Sequence, residues 1–245
     1  MKKNDTVVLK QSQKQIYFIL AAVSLTYFLY MLCFCNLRSL WVDDLAQIEI
    51  AVQPSIIAML KETIFLDNNP PLFHLISYFW IRLAPYGTGW LKLPGMVFAS
   101  IGLYVCGLTA YRLFGKPAAL FCVAMGFLQK GLVSLAAYTF RPYGLYFCLL
   151  SFMLFFYVKS RMQFTWKRNL LFMISLILAV YTHYFSVLFC IGFFLFDLWL
   201  VWQKCLKIVN LYPYPAAAAA ISPWLILVMR DSVERLKDFW PEKPD

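Results

Sequence analysis

The sequence predicts an all-α polytopic membrane protein with about seven transmembrane helices. Of its 245 residues, 62% are hydrophobic and 14% are charged, and the mean hydropathy is +0.68, which is too apolar for a soluble domain. Uncharged stretches of about 20 residues, the length that a membrane-spanning helix needs, recur along the chain. They cover residues 15–37, 93–111, 142–158, 169–196 and 208–229.

Positive charge gives the expected orientation of these helices. Lysines precede the first apolar stretch, and three further basic clusters occupy 112–116, 159–168 and 204–207. The positive-inside rule places all of them, and the N-terminus, in the cytoplasm. The same rule explains much of the net charge of +10. Because no basic-aromatic pattern typical of RNA binding occurs, we expect membrane lipids rather than nucleic acid as partners.

The first helix, about 16–35, is expected to lead to an external segment, 36–91. An odd number of crossings must separate this segment from the basic cluster at 112–116, yet two hydrophobic stretches, 71–84 and 92–111, lie between them. The shorter stretch begins at a Pro-Pro pair and contains an arginine, so we predict an interfacial helix over 71–84. The alternative is that this stretch spans the membrane and that the loop charges do not indicate the orientation of the helices.

The remaining helices follow in chain order. We predict helices over 92–111, 117–135, 142–158 and 211–229, and two more within 169–203 that turn at 181–185. In this arrangement the carboxylates lie on the outer side, except for Asp5 and Asp197. Residues 1–245 are treated as one transmembrane domain, with its site in the external segment.

Acidic and basic side chains gather in the external segment and in two outer turns, 137–146 and 181–185. Their convergence at one membrane surface is what a site for a charged, lipid-linked substrate needs. The candidate residues are Asp43, Asp44, Lys61, Asp67, Asn69, Lys92, Arg141, Tyr143 and His183, and His74 is the other histidine of the chain.

Several of these residues also have structural interpretations. Asp44 followed by Gln47 fits a helix N-cap with a capping box, which does not explain Asp43. Arg141 fits a side chain that snorkels to lipid headgroups, and His183 fits a solvated turn residue. The joint pattern, rather than any single residue, therefore favours a functional site.

The sequence predicts neither a metal centre nor a disulfide framework. The seven cysteines contain no C-x-x-C pair, and most lie within or beside hydrophobic stretches, so we interpret them as helix-packing residues. Two separated histidines without an H-E-x-x-H motif do not make a structural zinc site. A weakly held divalent cation near Asp43 remains compatible with the sequence.

An ordered set of short motifs resembles the GT-C superfamily of membrane glycosyltransferases. The closest similarity is to the protein O-mannosyltransferase family and to the bacterial enzymes that transfer aminoarabinose to lipid A. The resemblance extends over nearly all of 36–245 and rests on the order in which the motifs occur. The motifs are SLWVDDLAQ, DNNPPLFHLI, LKLPG, FGKPAAL, FRPYGLYF, YTHYFSVLF and SPWLILV.

The resemblance implies a conserved seven-helix module with interfacial helices in the first outer loop. It also implies a polyprenyl-phosphate-linked sugar as donor, a lipid, glycan or protein acceptor, and inversion at the anomeric carbon. The location expected is a bacterial plasma membrane with the site on the outer face. Relatives generally continue with more helices, so we expect a fragment, a truncated product or a minimal member.

Individual residues match the pattern of the family to different degrees. Asp43 and Asp44 match the acidic pair of the first loop, and Asp67 matches the acid before Pro-Pro. Asn69 stands where His or Lys is usual. Lys92 stands where Arg is usual, which keeps the charge but loses bidentate phosphate geometry.

The resemblance and the residue chemistry together give an expected mechanism. Asp43 is the candidate general base, and either Asp44 or Asp67 would orient the acceptor. The cations expected to stabilise the departing phosphate are Lys61, Lys92 and Arg141. Tyr143 and His183 belong to Arg-Pro-Tyr and Tyr-x-His-Tyr-like elements that are common in bacterial relatives, and we expect them in the substrate-binding set.

Two other functions stay open from the sequence. The chain would be an inactive family member that binds lipid phosphate or a partner transferase, or it would be a lipid or solute transporter. A transporter should carry ionisable residues near the membrane midplane. Only Asp197 qualifies, and it lies toward the cytoplasmic end, which favours the transferase.

Overall fold

A computed structural model describes residues 2–67, 69–83 and 87–239, and every regular element within these ranges is helical. A short 3₁₀ helix, Ile208–Leu211, precedes the last α-helix. The all-α class is therefore confirmed. The α-helices are α1 (Lys2–Phe34), α2 (Val42–Ala51), α3 (Ile56–Leu66), α4 (Leu72–Leu83), α5 (Thr88–Phe114), α6 (Lys116–Leu128), α7 (Lys130–Ala137), α8 (Tyr143–Met162), α9 (Trp166–Val180), α10 (Ser186–Trp202) and α11 (Pro213–Phe239).

Four helices within the described ranges are long and apolar enough to cross a membrane. They are α1 from Gln13 onward, α5, α8 and the stretch 208–231, which includes most of α11. α6 and α7 meet at a 63° bend and make a fifth candidate span if they are counted together. The composition-based prediction of an integral membrane protein is supported at this level.

The external segment contains three short helices, α2, α3 and α4, which pack against one another. α4 has 12 residues, so it is about 18 Å long, against about 30 Å for the hydrocarbon core of a bilayer. That length is short for a straight crossing, so the interfacial helix over 71–84 stays a prediction that the structure does not contradict.

Helix boundaries agree with the sequence in one hairpin and differ in another. The break predicted at 181–185 separates α9 from α10. The single helix predicted over 117–135 is instead interrupted at Gln129, whose backbone (φ −78°, ψ 79°) leaves the helical region. This interruption directs α7 away from the axis of α6 and toward the polar loop that follows it.

α5 lies at the centre and packs against α1, α6, α7 and α8. Its crossing with α8 is exceptionally close near the start of α8. A methyl group on Gly144 would lie 2.2 Å from the carbonyl oxygen of Gly95. Only glycine fits there, so this contact fixes where α8 begins and holds the Arg141–Tyr143 segment in place.

α10 has an inverted distribution of polar and apolar side chains. The residues it buries are Ser186 and Asp197, whereas Leu188, Leu195 and Phe196 are exposed. A helix in water would bury the apolar face. The outward apolar face of α10 fits a surface that contacts lipid tails.

The helices alternate in direction, so the chain has two chemically different ends. We call the end where α1 finishes and α8 starts the site end. There, Leu72 N donates to Tyr181 O at 3.0 Å, which joins the external segment to the 181–185 turn. We call the other end, which carries Arg112, Lys159 and Arg168, the basic end. It is the end to which the sequence assigned the cytoplasmic clusters.

A buried ion pair holds the helices together toward the basic end. Asp197 is fully buried and pairs with Arg161 through two hydrogen bonds, one of them at 2.8 Å to Nε. Its carboxylate also accepts from the hydroxyls of Tyr157 and Tyr214, at 2.8 and 2.6 Å. The cluster joins α8, α10 and α11, and its partners satisfy the carboxylate in the low-dielectric interior.

Candidate functional site

The two adjacent aspartates of α2 have different environments. Asp44 is fully buried, and its Oδ2 accepts from Trp41 N at 2.8 Å while its Oδ1 accepts from Phe140 N at 2.7 Å. It therefore caps α2 and ties it to the loop before α8. The expected N-cap position is wrong, because α2 begins at Val42 and Asp44 is its third residue; the cap is Trp41.

Asp43 directs its side chain away from the contacts that hold Asp44. Its side chain is exposed, and its carboxylate has no hydrogen-bond or ion-pair partner in the described part of the chain. Its backbone oxygen accepts from Arg141 Nη1 at 3.3 Å. The burial of Asp44 thus leaves the neighbouring carboxylate accessible to solvent, while the Arg141 guanidinium contacts the backbone of the same residue.

Arg141 and Asp67 form the ionic centre of the site. The two side chains are nearly buried, and Arg141 Nη1 donates to Asp67 Oδ2 at 2.9 Å. Asp67 Oδ1 accepts from the backbone and side-chain nitrogens of Asn69, at 3.1 and 2.9 Å. The structure therefore brings three of the candidate residues into direct contact. Arg141 Nε is buried without a hydrogen-bond partner among the described residues.

His74 lies behind this pair, on α4. It is buried, and its Nε2 is 3.6 Å from Asp67 Oδ2, beyond hydrogen-bonding distance. Neither ring nitrogen has a partner among the described residues. Burial lowers the pKa of His74 to about 4; Asp67 opposes this shift and Arg141 adds to it. The imidazole is therefore neutral at pH 7.

His183 and Tyr143 contribute an aromatic wall to the same end of the molecule. The ring of His183 lies 5.0 Å from Tyr146, 4.9 Å from Phe185 and 6.2 Å from Tyr143, between ring centroids. Its Nδ1 accepts from Phe185 N at 3.3 Å. Burial, followed by the positive charge of Arg141, lowers the pKa of His183, while Asp67 opposes the shift. A neutral, aromatic surface therefore borders the charged pair.

The two lysines expected to bind phosphate occupy unsuitable positions. Lys92 is fully buried, and its ammonium donates to the carbonyl oxygens of Cys35 and Arg38, at 2.9 and 2.6 Å. It holds the chain as it leaves α1, so the expected phosphate contact is replaced by a structural one. Lys61 is exposed on α3, and no described residue is hydrogen-bonded or ion-paired to its ammonium.

Two residues of the site were not among the sequence candidates. Tyr184 OH accepts from Trp224 Nε1 at 3.1 Å, which connects the 181–185 turn to α11. Burial, and then the charge of Asp67, raise the pKa of the Tyr184 hydroxyl. Tyr184 adjoins His183 in the sequence, so an aromatic-rich turn was the available signal. No local signal identified Trp224, which is 40 residues further on.

No group of three or more His, Cys, Asp or Glu side chains within the described ranges is arranged to hold a metal ion. Asp44 has both oxygens engaged, and Asp67 is paired with Arg141. The chemistry that these side chains offer directly is an exposed carboxylate, an adjacent guanidinium with a free Nε, and an aromatic wall.

Compared with models of known protein families, the sequence matches none, and a comparison with curated proteins finds no significant match.

Proposed function

We propose that the chain is a membrane glycosyltransferase that moves a sugar from a polyprenyl-phosphate donor to an acceptor. One observation carries the proposal: Arg141 is held against both Asp67 and the backbone of Asp43, whose carboxylate is exposed. Transfer of a sugar from a phosphate needs a base for the acceptor and a cation for the leaving group. Arg141 supplies the cation, and the base is the exposed carboxylate of Asp43, whose backbone oxygen Arg141 contacts.

The proposed chemistry assigns one step to each group. The Asp43 carboxylate takes the proton from an acceptor hydroxyl or amine as that atom bonds to the anomeric carbon. The bond from the anomeric carbon to the phosphate oxygen breaks, and the electron pair leaves with the polyprenyl phosphate. The Arg141 guanidinium stabilises the negative charge on the phosphate oxygens, where positive charge is worth most because the site is partly buried.

The neighbouring residues support this arrangement. Asp67, which is itself held by Asn69, fixes the orientation of Arg141. The rings of Tyr143 and His183 offer an aromatic wall against which a sugar ring can lie. Asp44 and Lys92 act as scaffold. We assign Lys61 to an outer position, where it attracts the charged donor without contacting it in the resting site.

We place the site end on the outer face of the membrane and the N-terminus in the cytoplasm, because the basic clusters lie at the opposite end. Seven crossings result if α6 and α7 form one span and α9 and α10 each cross. With 15 and 17 residues, α9 and α10 are short for a full crossing and suit a locally thinned bilayer. The lipid tail of the donor would then run beside these apolar helices.

The test is sugar transfer by membranes that contain the full chain, supplied with labelled undecaprenyl-phosphate sugars. We expect Asp43→Asn to lower the transfer rate by about 10²–10⁴-fold, the usual contribution of a general base, with normal expression. Glu49→Gln is the matched control, because Glu49 is an exposed acid on the same helix. Its transfer rate should equal that of the unmodified chain.

An Asp43→Asn variant that transfers sugar at the normal rate would remove Asp43 from the mechanism. If the unmodified chain binds polyprenyl phosphate but transfers no sugar, the proposed function is wrong and the chain is a lipid-phosphate-binding subunit.

A further inference from the structure

A polar cleft lies beside the bend between α6 and α7, apart from the Asp67–Arg141 pair. Its volume is about 370 Å³. It opens where the interruption at Gln129 separates the two helices, next to the end of α1. The cleft is lined by Tyr30, Arg38, Phe127, Lys130, Gly131, Val133, Ser134 and Tyr138.

The charge of this cleft is positive. Arg38 and Lys130 both line it, no carboxylate does, and neither cation is ion-paired to any described residue. The Arg38 guanidinium lies over the ring of Tyr138, 5.5 Å from its centroid, which restrains it without neutralising it. Two cations that share a cleft without a counter-ion attract an anion.

The backbone around the cleft is fixed by interactions already described. Lys92 is fully buried and donates to the carbonyl oxygen of Arg38, so the residue that follows α1 is held against the start of α5. On the opposite side, α7 starts at Lys130. The first N–H groups of a helix favour an anion, which adds to the two cations. The backbone positions that carry the two cations are thus set before any ligand binds.

The rest of the lining indicates what kind of anion would fit. Phe127 and Val133 make part of the wall apolar, and Tyr30 and Tyr138 are residues typical of the membrane interface. On the N-terminal side of Tyr30, α1 carries exposed apolar side chains, among them Leu25 and Leu29. A molecule that is anionic at one end and apolar at the other matches this change from a positively charged cleft to an apolar helix surface.

We propose that the cleft of Arg38 and Lys130 binds the phosphate group of a membrane lipid, at a site distinct from that of the transferred sugar. The phosphate would lie between the guanidinium and the ammonium, with Ser134 and the tyrosine hydroxyls as further donors. The lipid tails would follow the exposed face of α1. This binding would hold α7, and the loop that follows it to Arg141, at a defined depth in the membrane.

The experiment titrates the purified full chain in detergent with short-chain phosphatidylglycerol or phosphatidylcholine and counts bound lipid by native mass spectrometry. We expect Arg38→Ala with Lys130→Ala to weaken phosphatidylglycerol binding at least tenfold, since each basic residue contributes roughly fivefold near a membrane surface. Lys167→Ala with Lys207→Ala, which removes two exposed cations at the basic end, is the control. It should bind as the unmodified chain does.

A charge-conserving variant separates electrostatics from folding. Arg38→Lys with Lys130→Arg should retain phosphatidylglycerol binding within about threefold, because both positive charges remain. A third arm uses inorganic phosphate alone. Displacement of phosphatidylglycerol by millimolar phosphate, lost in the double alanine variant, would assign the same cleft to free phosphate.

Equal phosphatidylglycerol binding by the double alanine variant and the unmodified chain would overturn the proposal. So would equal losses in the two double alanine variants, because a general charge effect would then explain the binding. Neither outcome depends on sugar transfer, so the failure of this proposal is distinguishable from the failure of the proposed function.

Discussion

Asp43 and Asp44 are adjacent in the sequence, but one carboxylate is exposed and the other is buried. Asp44 is fully buried between two backbone N–H groups, one of them on Phe140, whereas Asp43 is exposed beside Arg141. The burial of the second acid holds the first one in the site. At this scale a structural carboxylate and a candidate catalytic one differ by a single position along a helix.

Asp44→Asn should destabilise the protein by about 2 kcal/mol, because one of its two charge-assisted hydrogen bonds is replaced by an amide facing an N–H group. Asp43→Asn should change stability by less than about 0.5 kcal/mol, as exposed substitutions usually do. Thermal unfolding of the two variants in the same detergent measures the difference. Equal stability of both variants would show that Asp44 does not tie α2 to Phe140.

The crossing of α5 and α8 is the element-level feature that sets the site. It brings Gly95 and Gly144 into backbone contact and thereby fixes the position of Arg141, three residues before Gly144. Every polar contact of Arg141 depends on that position. The site is therefore rigid where the helices cross, although its residues lie in loops and at helix ends.

Gly144→Ala should destabilise the protein by about 3 kcal/mol or more, because the added methyl meets backbone rather than a movable side chain. Gly192→Ala is the matched control, since nothing lies within 4 Å of the added methyl group. It should raise helix stability slightly. The measurement is the thermal midpoint of both variants, and a Gly144→Ala variant as stable as Gly192→Ala would contradict the close crossing.

For the whole molecule, the sequence predicted the features that depend on composition. The apolar stretches marked helices α1, α5, α8 and α11, and the turn at 181–185 separated the two helices of its hairpin. The positions of the basic clusters, with the number of crossings that they require, predicted that segment 36–91 and the turns at 137–146 and 181–185 lie at one end of the molecule. The hydrogen bond from Leu72 N to Tyr181 O supports that arrangement.

Features that depend on long-range contacts could not be predicted from the sequence. Asp44 meets Phe140 across 96 residues, and Lys92 meets Cys35 across 57. No local pattern shows that these two charged side chains bind backbone groups rather than a substrate. The bend at Gln129 was missed because the stretches on both sides of Gln129 and Lys130 are apolar enough for one continuous helix.

Polar groups are divided between the two ends of the molecule. The Asp197–Arg161 pair joins three helices toward the basic end, and the site end carries the exposed Asp43 beside Arg141. A helix bundle held together toward the basic end, with an exposed carboxylate at the site end, fits the transferase that we propose. The proposed transfer takes place at the site end.

Release of polyprenyl phosphate from labelled undecaprenyl-phosphate sugars tests the proposed transfer, when it is measured in membranes that contain the chain and also supply lipid, glycan and protein acceptors. The acceptor need not be identified, because the released polyprenyl phosphate reports the transfer. We expect one donor of the series to be cleaved, at a rate that Arg141→Ala lowers at least 100-fold, the typical loss when one group that stabilises developing charge is removed. Absence of cleavage of every donor by the unmodified chain, or an unchanged rate in Arg141→Ala, would contradict it.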